Sequence, residues 1–155
     1  MKLSKAIDIF FKCAQVIDEE VCSLLSSYVA TLRALYLLHQ NHHWEAEDYQ
    51  HHLLFQRLYE SVQASADAAA ERVVGLCGKL NDVDMYKLVE SFEGDEFVES
   101  SLAAEEEFQK LAKTIYAKIK EKNVLTLGLD DLIMSQASDG EERIYLLKQS
   151  LPKKQ

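Results

Sequence analysis

The chain of 155 residues contains a single proline, Pro152, so no proline interrupts its first 151 residues. Proline breaks helices and is common in the turns that join strands. Glycine is also scarce, with 5 residues, which leaves little of the turn chemistry that a sandwich or barrel of short strands requires. Both scarcities favour long, uninterrupted helices. A chain of this length is expected to form one domain, and we assign residues 1–155 to it.

Apolar residues recur at steps of three and four along four long segments, which is the spacing of one helical face. The segments comprise residues 18–43, 49–77, about 95–122 and roughly 126–150. Shorter helices are predicted over residues 4–17 and 85–92. The sequence therefore predicts an all-α four-helix bundle over residues 18–150, with residues 1–17 as an N-terminal helical extension. Gly78 is a plausible end for the second long helix, and Gly140 is a candidate site for a kink in the fourth.

The acidic composition restricts the possible partners of the chain. With 17 basic and 26 acidic residues, the net charge is −9, which disfavours nucleic-acid binding and attracts cations. Three cysteines in no CxxC pattern, Cys13, Cys22 and Cys77, indicate free thiols in a reducing compartment. The N-terminus lacks the pattern of a secretory signal, and no uncharged stretch approaches the ~18 residues of a membrane span. We therefore predict a soluble, cytoplasmic protein.

All the histidines lie within fourteen residues, around the turn that joins the first two long helices. They are His39, His42, His43, His51 and His52. Imidazole is a ligand for iron, zinc, copper and nickel, and carboxylates shift a mixed site toward iron or manganese. The alternative is a solvated polar turn without a chemical role.

Asp67 and Glu71 are i,i+4 neighbours on the flank of the second long helix. Fifteen residues at ~1.5 Å rise place His52 about 22 Å along the helix from Asp67, too far for both to bind one metal within a subunit. In a two-fold dimer the far end of one helix meets the near end of its mate, so His52 of one chain can face Asp67 and Glu71 of the other. The spacing therefore favours a site shared between subunits.

Several motifs carry a family resemblance over about residues 20–150. His43-Trp44 resembles the His-Trp of the DNA-protection-during-starvation proteins (Dps, the miniferritins), and His52 to Tyr59 is similar to their His-x-x-Phe-x-x-x-Tyr. Asp67-Ala-Ala-Ala-Glu71-Arg72, followed by Gly78, resembles their Asp-x-x-Ala-Glu-Arg segment, which ends in glycine. Residues 141–147 resemble the end of their last helix.

The resemblance implies a ferritin-like bundle with a ferroxidase centre at a dimer interface. His43 and His52 of one subunit, with Asp67 and Glu71 of its two-fold mate, would be both the metal ligands and the catalytic residues. The family assembles as a hollow dodecamer that oxidises Fe(II), typically with hydrogen peroxide, and stores ferric mineral. Trp44 would lie beside the metal; the alternative is an ordinary core or interface aromatic residue.

The chain departs from the family pattern in three places. One is the crowding of Glu45, Glu47 and Asp48 in the short turn, where they would add a ligand or supply cations to the site. The turn between His43 and His52 is about three residues shorter than in the family, which leaves two alternatives: His42 in place of His43, and His51 in place of His52. The chain also lacks the lysine-rich extension through which some members bind DNA, so DNA binding is not expected. The alternative function is a non-catalytic ferritin-fold bundle that acts as a scaffold or binds another metal.

Overall fold

The computed structural model describes residues 17–152, and all of the regular secondary structure in this range is helical. Its helices are α1 (Glu19–Glu45), α2 (Tyr49–Cys77), α3 (Met85–Glu90), α4 (Phe97–Glu121) and α5 (Leu127–Ser150). No strand occurs within this range. The predicted all-α bundle, with a short helix between the second and third long helices, is confirmed. The predicted N-terminal helix of residues 4–17 lies, except for Ile17, outside the described residues.

Side-chain caps explain where the long helices begin. The carboxylate of Asp18 accepts a hydrogen bond from Val21 N at 2.9 Å, and Asp48 accepts one from His51 N at the same distance. Thr126 caps α5 in the same way. α2 ends at Cys77 and is capped by Gly78, as the sequence predicted; the φ of 81° at Gly78 is the left-handed conformation that favours glycine.

α1 is the central helix, because α2, α3 and α4 all pack against it. Its buried residues form more than one stripe and include Leu25, Val29, Leu32 and Leu35. Its length and its mean hydropathy of 1.5 over an 18-residue window would suit a membrane span, but 61% of that window is buried inside the protein. The apolarity of α1 is therefore explained by its position in the core.

α5 runs unbroken through Gly140, so this glycine does not split the helix. Gly140 is buried, and a Cβ there would lie 2.3 Å from Nε2 of Gln109 on α4. That same Nε2 donates a hydrogen bond of 2.7 Å to the carbonyl oxygen of Ala137. The glycine therefore makes room for the Gln109 side chain against α5, a requirement that local sequence cannot reveal.

Cys22 and Cys77 form a disulfide, with their Cα atoms 5.8 Å apart. The prediction of free thiols is therefore wrong for this pair. The short turn after α1 makes α1 and α2 antiparallel neighbours, which brings the first turn of α1 beside the last turn of α2. Two cysteines 55 residues apart thus become adjacent through the helix pairing. Cys13 lies outside the described residues.

Candidate metal centre

The histidines that cluster in the sequence have three different environments in the structure. His39 and His42 point into the bundle, His51 belongs to the cap of α2, and His43 and His52 face each other at the surface end of α1 and α2. The five histidines are close together in the sequence, but they do not form one common site.

His39 belongs to a buried ionic network that joins all four long helices. Its Nε2 lies 2.8 Å from Oε1 of Glu105, and Arg143 donates from Nε and Nη2 to the two oxygens of Glu105 at 2.7 and 3.0 Å. Arg143 also donates to Ser61 on α2 at 3.3 Å. Burial opposes ionisation of Glu105, but its bonds to His39 and Arg143 hold the pKa of the carboxyl below its usual value. The carboxylate is therefore already neutralised within the chain.

His42 is buried between aromatic rings and is not available at the surface. Its Nδ1 lies 2.9 Å from the hydroxyl of Ser101, and its ring stacks on Phe97 with centroids 4.4 Å apart. Burial, assisted by nearby His39, lowers the pKa of His42 to about 4. His42 is thus a neutral core residue at pH 7. Its position favours His43 as the surface ligand.

His51 serves the helix terminus. Its Nδ1 contacts the carboxylate of Asp48, the residue that caps α2. The carboxylate of Asp48 also accepts a hydrogen bond from the backbone N–H of His51. The Asp48 carboxylate and the His51 ring are therefore both engaged at the start of α2. This arrangement favours His52 over His51 as the ligand in the second position.

His43 and His52 form a reciprocal pair. Nδ1 of His43 donates to the carbonyl oxygen of His52 at 2.8 Å, and Nδ1 of His52 donates to the carbonyl oxygen of His43 at 2.9 Å. The rings stack with centroids 3.9 Å apart. A carbonyl oxygen only accepts, so Nδ1 of each ring carries a proton, and in the tautomer that this bond selects Nε2 keeps its lone pair. Such a backbone bond on the second nitrogen is typical of histidines that bind metal.

Asp67 and Glu71 lie on the exposed face of α2, as the sequence predicted. Asp67 lines an open groove of about 620 Å³ with Arg33 and Tyr36, while Glu71 lines a separate groove of about 470 Å³ beside Arg72. α2 is continuous from Tyr49 to Cys77, so His52 and Asp67 are separated by about 22 Å along the helix axis. Within residues 17–152, no three His, Cys, Asp or Glu side chains are close enough to share a metal.

One subunit therefore brings together two of the four predicted ligands, His43 and His52, and leaves Asp67 and Glu71 apart from them. Trp44 is 67% exposed, so an ordinary core position is excluded for it. Tyr36 was not predicted to lie near these residues, and its ring stands 6.0 Å from that of Tyr59. Helical spacing would have indicated this position, because Tyr36 lies two turns before His43 on the same side of α1.

The turn between α1 and α2 is strongly acidic. Glu45, Glu47 and Asp48 line an open cavity of about 380 Å³ together with Asp95 and further acidic residues at the start of α4. The field of these groups favours cations near the histidine end of the subunit.

Solved structures provide the comparisons with known proteins. The chain matches no protein-family model and no curated protein sequence at a significant level. It is similar to Dps from Thermosynechococcus elongatus, with a TM-score of 0.76 and 24% identity over 88% of this chain and 92% of that one. It is also similar to DpsC from Streptomyces coelicolor, with a TM-score of 0.74 and 23% identity over 87% and 85% of the two chains. A variant of Dps1 from Mycobacterium smegmatis gives a TM-score of 0.72 and 16% identity over 88% and 100%.

These likenesses support the resemblance seen in the motifs at the level of the fold. They extend over most of the chain, and all three proteins carry the same family name. The protein therefore has the ferritin-like four-helix fold of the Dps proteins.

Proposed function

We propose that the protein is a miniferritin that binds Fe(II) as its substrate, oxidises it with peroxide and stores the ferric product. The observation that carries this proposal is the His43–His52 pair, whose two Nε2 lone pairs are free while both Nδ1 atoms are fixed to backbone carbonyl oxygens. Neutral imidazoles held in this way are ready to bind a transition metal without reorganisation.

The oxygen ligands are proposed to come from a second copy of the chain. Asp67 and Glu71 stand on the same helix as His52 and on its exposed face, where a two-fold mate can reach them. A helix pair that crosses antiparallel at its midpoint places the histidine end of one copy against the carboxylate end of the other. Two identical sites then form at each interface.

The residues have separate tasks in this scheme. His43 and His52 hold Fe(II) from one side, and Asp67 and Glu71 of the mate supply hard oxygen ligands that bind Fe(III) more strongly than Fe(II). The same groups therefore bind the substrate and favour its oxidation. The acidic cavity at the α1–α2 turn raises the local concentration of cations, and an acidic interior would nucleate the mineral.

The larger assembly belongs to the same proposal. A closed homo-oligomer, a dodecamer by family analogy, would enclose the mineral, and we propose a cytoplasmic location without binding to DNA or membranes. The net charge of −9 per chain supports the absence of DNA binding. The cysteines no longer support a reducing compartment, because Cys22 and Cys77 are paired.

Anaerobic titration with Fe(II), followed by peroxide, tests the activity. We expect rapid formation of Fe(III) in the native protein and its loss in His52→Ala, Asp67→Asn and Glu71→Gln. Glu141→Gln is a matched control, since Glu141 is an exposed carboxylate on α5. His51→Ala tests the alternative ligand, and it should retain the activity. Fe(II) or Zn²⁺ binding without oxidation would instead support the non-catalytic bundle.

Mixing of mutant subunits tests whether the site is shared. In a two-fold pair of His52→Ala and Glu71→Gln chains, one site carries both lesions and the other carries none. Random co-assembly makes half of the pairs mixed, so about one quarter of all sites are intact. Co-expressed mutants should recover about that fraction of the native activity. Mixed assemblies that are confirmed by mass spectrometry but remain inactive would disprove the inter-subunit site.

A further inference from the structure

The two cysteines of the disulfide lie at the end of the bundle beyond the proposed carboxylate ligands. Cys22 is in the first turn of α1, and Cys77 is the last residue of α2. Both are half-buried, while the neighbouring residues 18–20 and 78–79 are exposed. The proposed two-fold crossing is near the middle of α2, so Cys77 lies farther from it than Asp67 and Glu71 do. A small oxidant or reductant can therefore reach the sulfur atoms from the end of the bundle.

The half of α2 that carries Asp67 and Glu71 is weakly packed. The buried side chains in the first half of α2 are large: Phe55, Leu58 and Val62. Those in the second half are mostly small: Ser65, Ala66, Ala69 and Val73. Small side chains bury less apolar surface and stabilise a helix less. Gly75 weakens this half further, because a Cβ there would meet no atom within 4 Å and packing therefore does not require a glycine.

Polar links to other helices also stop before this half of α2. The carbonyl oxygen of Ser65 accepts a hydrogen bond of 2.7 Å from Nε2 of Gln136 on α5. Within residues 17–152, no side-chain hydrogen bond or ion pair joins residues 66–77 to another helix. The bond to Cys22 is therefore the strongest link between this segment and the rest of the subunit. Glu71 precedes Cys77 by six residues, or about 9 Å along the helix axis, so the bond acts close to a proposed ligand.

We propose that Cys22 and Cys77 are a peroxide-reactive thiol pair, and that their disulfide holds Asp67 and Glu71 in the position that binds metal. The control of metal binding rests on the proposed function, whereas the thiol chemistry does not. In the reduced protein, the end of α2 opens in a fraction of the chains. The apparent affinity for Fe(II) then falls in proportion to the fraction that stays ordered. Iron is thus bound most tightly when peroxide is present.

The redox step is balanced by peroxide alone. One sulfur attacks an oxygen atom of hydrogen peroxide, which breaks the O–O bond and gives a sulfenic acid and one water. The second sulfur then attacks the sulfenic sulfur, so the S–S bond forms and a second water leaves. The sum is 2 RSH + H₂O₂ → RSSR + 2 H₂O, in which the sulfur atoms lose two electrons and both thiol protons go to water. In the cytoplasmic location proposed above, disulfides are commonly transient and redox-sensing.

Thiol titration of the iron-free protein tests the reaction with peroxide. The protein is reduced with a phosphine, freed of reductant and treated anaerobically with one equivalent of hydrogen peroxide per chain. We expect the native protein and Cys13→Ser to lose two thiols per chain faster than glutathione reacts, with a Cys22–Cys77 link in the non-reducing peptide map. Cys22→Ser should react more slowly than either. Thiol loss no faster than that of glutathione, or a link through Cys13, would overturn the assignment.

Hydrogen exchange tests the effect on α2, at a temperature well below melting. In the reduced protein and in Cys22→Ser/Cys77→Ser, exchange should be faster over residues 67–77 and unchanged over residues 49–62. Reoxidation with diamide should restore slow exchange in the native chain but not in the double variant. Equal exchange in both states, or an increase spread over the whole bundle, would refute the local effect of the disulfide.

Anaerobic Fe(II) titration without peroxide then measures the affinity in each state. We expect the half-saturating Fe(II) concentration to rise by more than about twofold in the reduced protein, as it does when fewer than half of the α2 ends stay ordered. The double variant should match the reduced protein, which excludes Fe(II) binding by the thiols as the cause. Equal affinity in the oxidised protein and the double variant would overturn the control by the disulfide and leave the iron site intact. Absence of Fe(II) binding in every form would overturn the proposed function, and this control with it.

Discussion

Reduction of the Cys22–Cys77 disulfide should destabilise the protein by a large and calculable amount. The bond closes a loop with a sequence separation of 55 residues. The chain-entropy relation, in which the entropy lost by the unfolded state grows with the logarithm of loop length, then gives about 4 kcal/mol at 25 °C. For a domain of this size each kcal/mol corresponds to about 2–4 °C in the melting temperature, so reduction should lower it by about 8–16 °C.

Far-UV circular dichroism melts at one fixed protein concentration, with and without a phosphine reductant, measure this shift. The double variant Cys22→Ser/Cys77→Ser should melt like the reduced native protein and should not respond to the reductant. Cys13→Ser should behave like the native protein under both conditions. Equal melting temperatures for oxidised and reduced protein, with the bond verified by a non-reducing peptide map, would refute the loop-closure reasoning.

Three further predictions concern packing, pH and charge. Gly140→Ala should lower the free energy of unfolding by about 1–3 kcal/mol, because Gln109 must move and lose its hydrogen bond. Gly75→Ala, in an α2 position with no atom within 4 Å of the new Cβ, should raise it by up to about 1 kcal/mol, and urea denaturation compares the two. Because the pKa of His42 falls from 6.5 to about 4 on folding, the unfolded chain takes up the proton first. The metal-free protein should therefore lose up to about 3 kcal/mol of stability as the pH falls from 6.5 to 4, and His42→Asn should lose this dependence in pH-resolved urea titrations. Duplex DNA should show no gel shift at about 150 mM salt without added divalent metal, since the net charge of −9 per chain repels phosphates.

The helices were predictable because their signals are local. Helical spacing and one glycine determine α2, and the structure places it at Tyr49–Cys77, as predicted. The position of Asp67 and Glu71 outside the core followed from the same periodicity. Contacts between helices were not predictable in this way. The burial of Glu105 and Arg143, the pairing of Cys22 with Cys77 and the use of Gly140 each depend on a residue far away in sequence.

The candidate site was predictable only in part for the same reason. The spacing from His52 through Tyr59 to Asp67 is a helical pattern, and the motif resemblance rests on it. Three of the five clustered histidines have structural tasks, and only a three-dimensional arrangement reveals which. The assignment of His43 and His52 by periodicity agrees with the reciprocal bonds between them, while their union with Asp67 and Glu71 stays a prediction.

The ionic network in the bundle also affects where metal can bind. Glu105 and His39 would be good metal ligands on facing helices, but Arg143 already fills the position of a cation between α4 and α5. A divalent ion would have to displace a guanidinium that is covalently tethered and cannot diffuse away, so it competes against a very high effective concentration. The network therefore keeps divalent ions out of the subunit interior and leaves metal binding to the surface of the bundle.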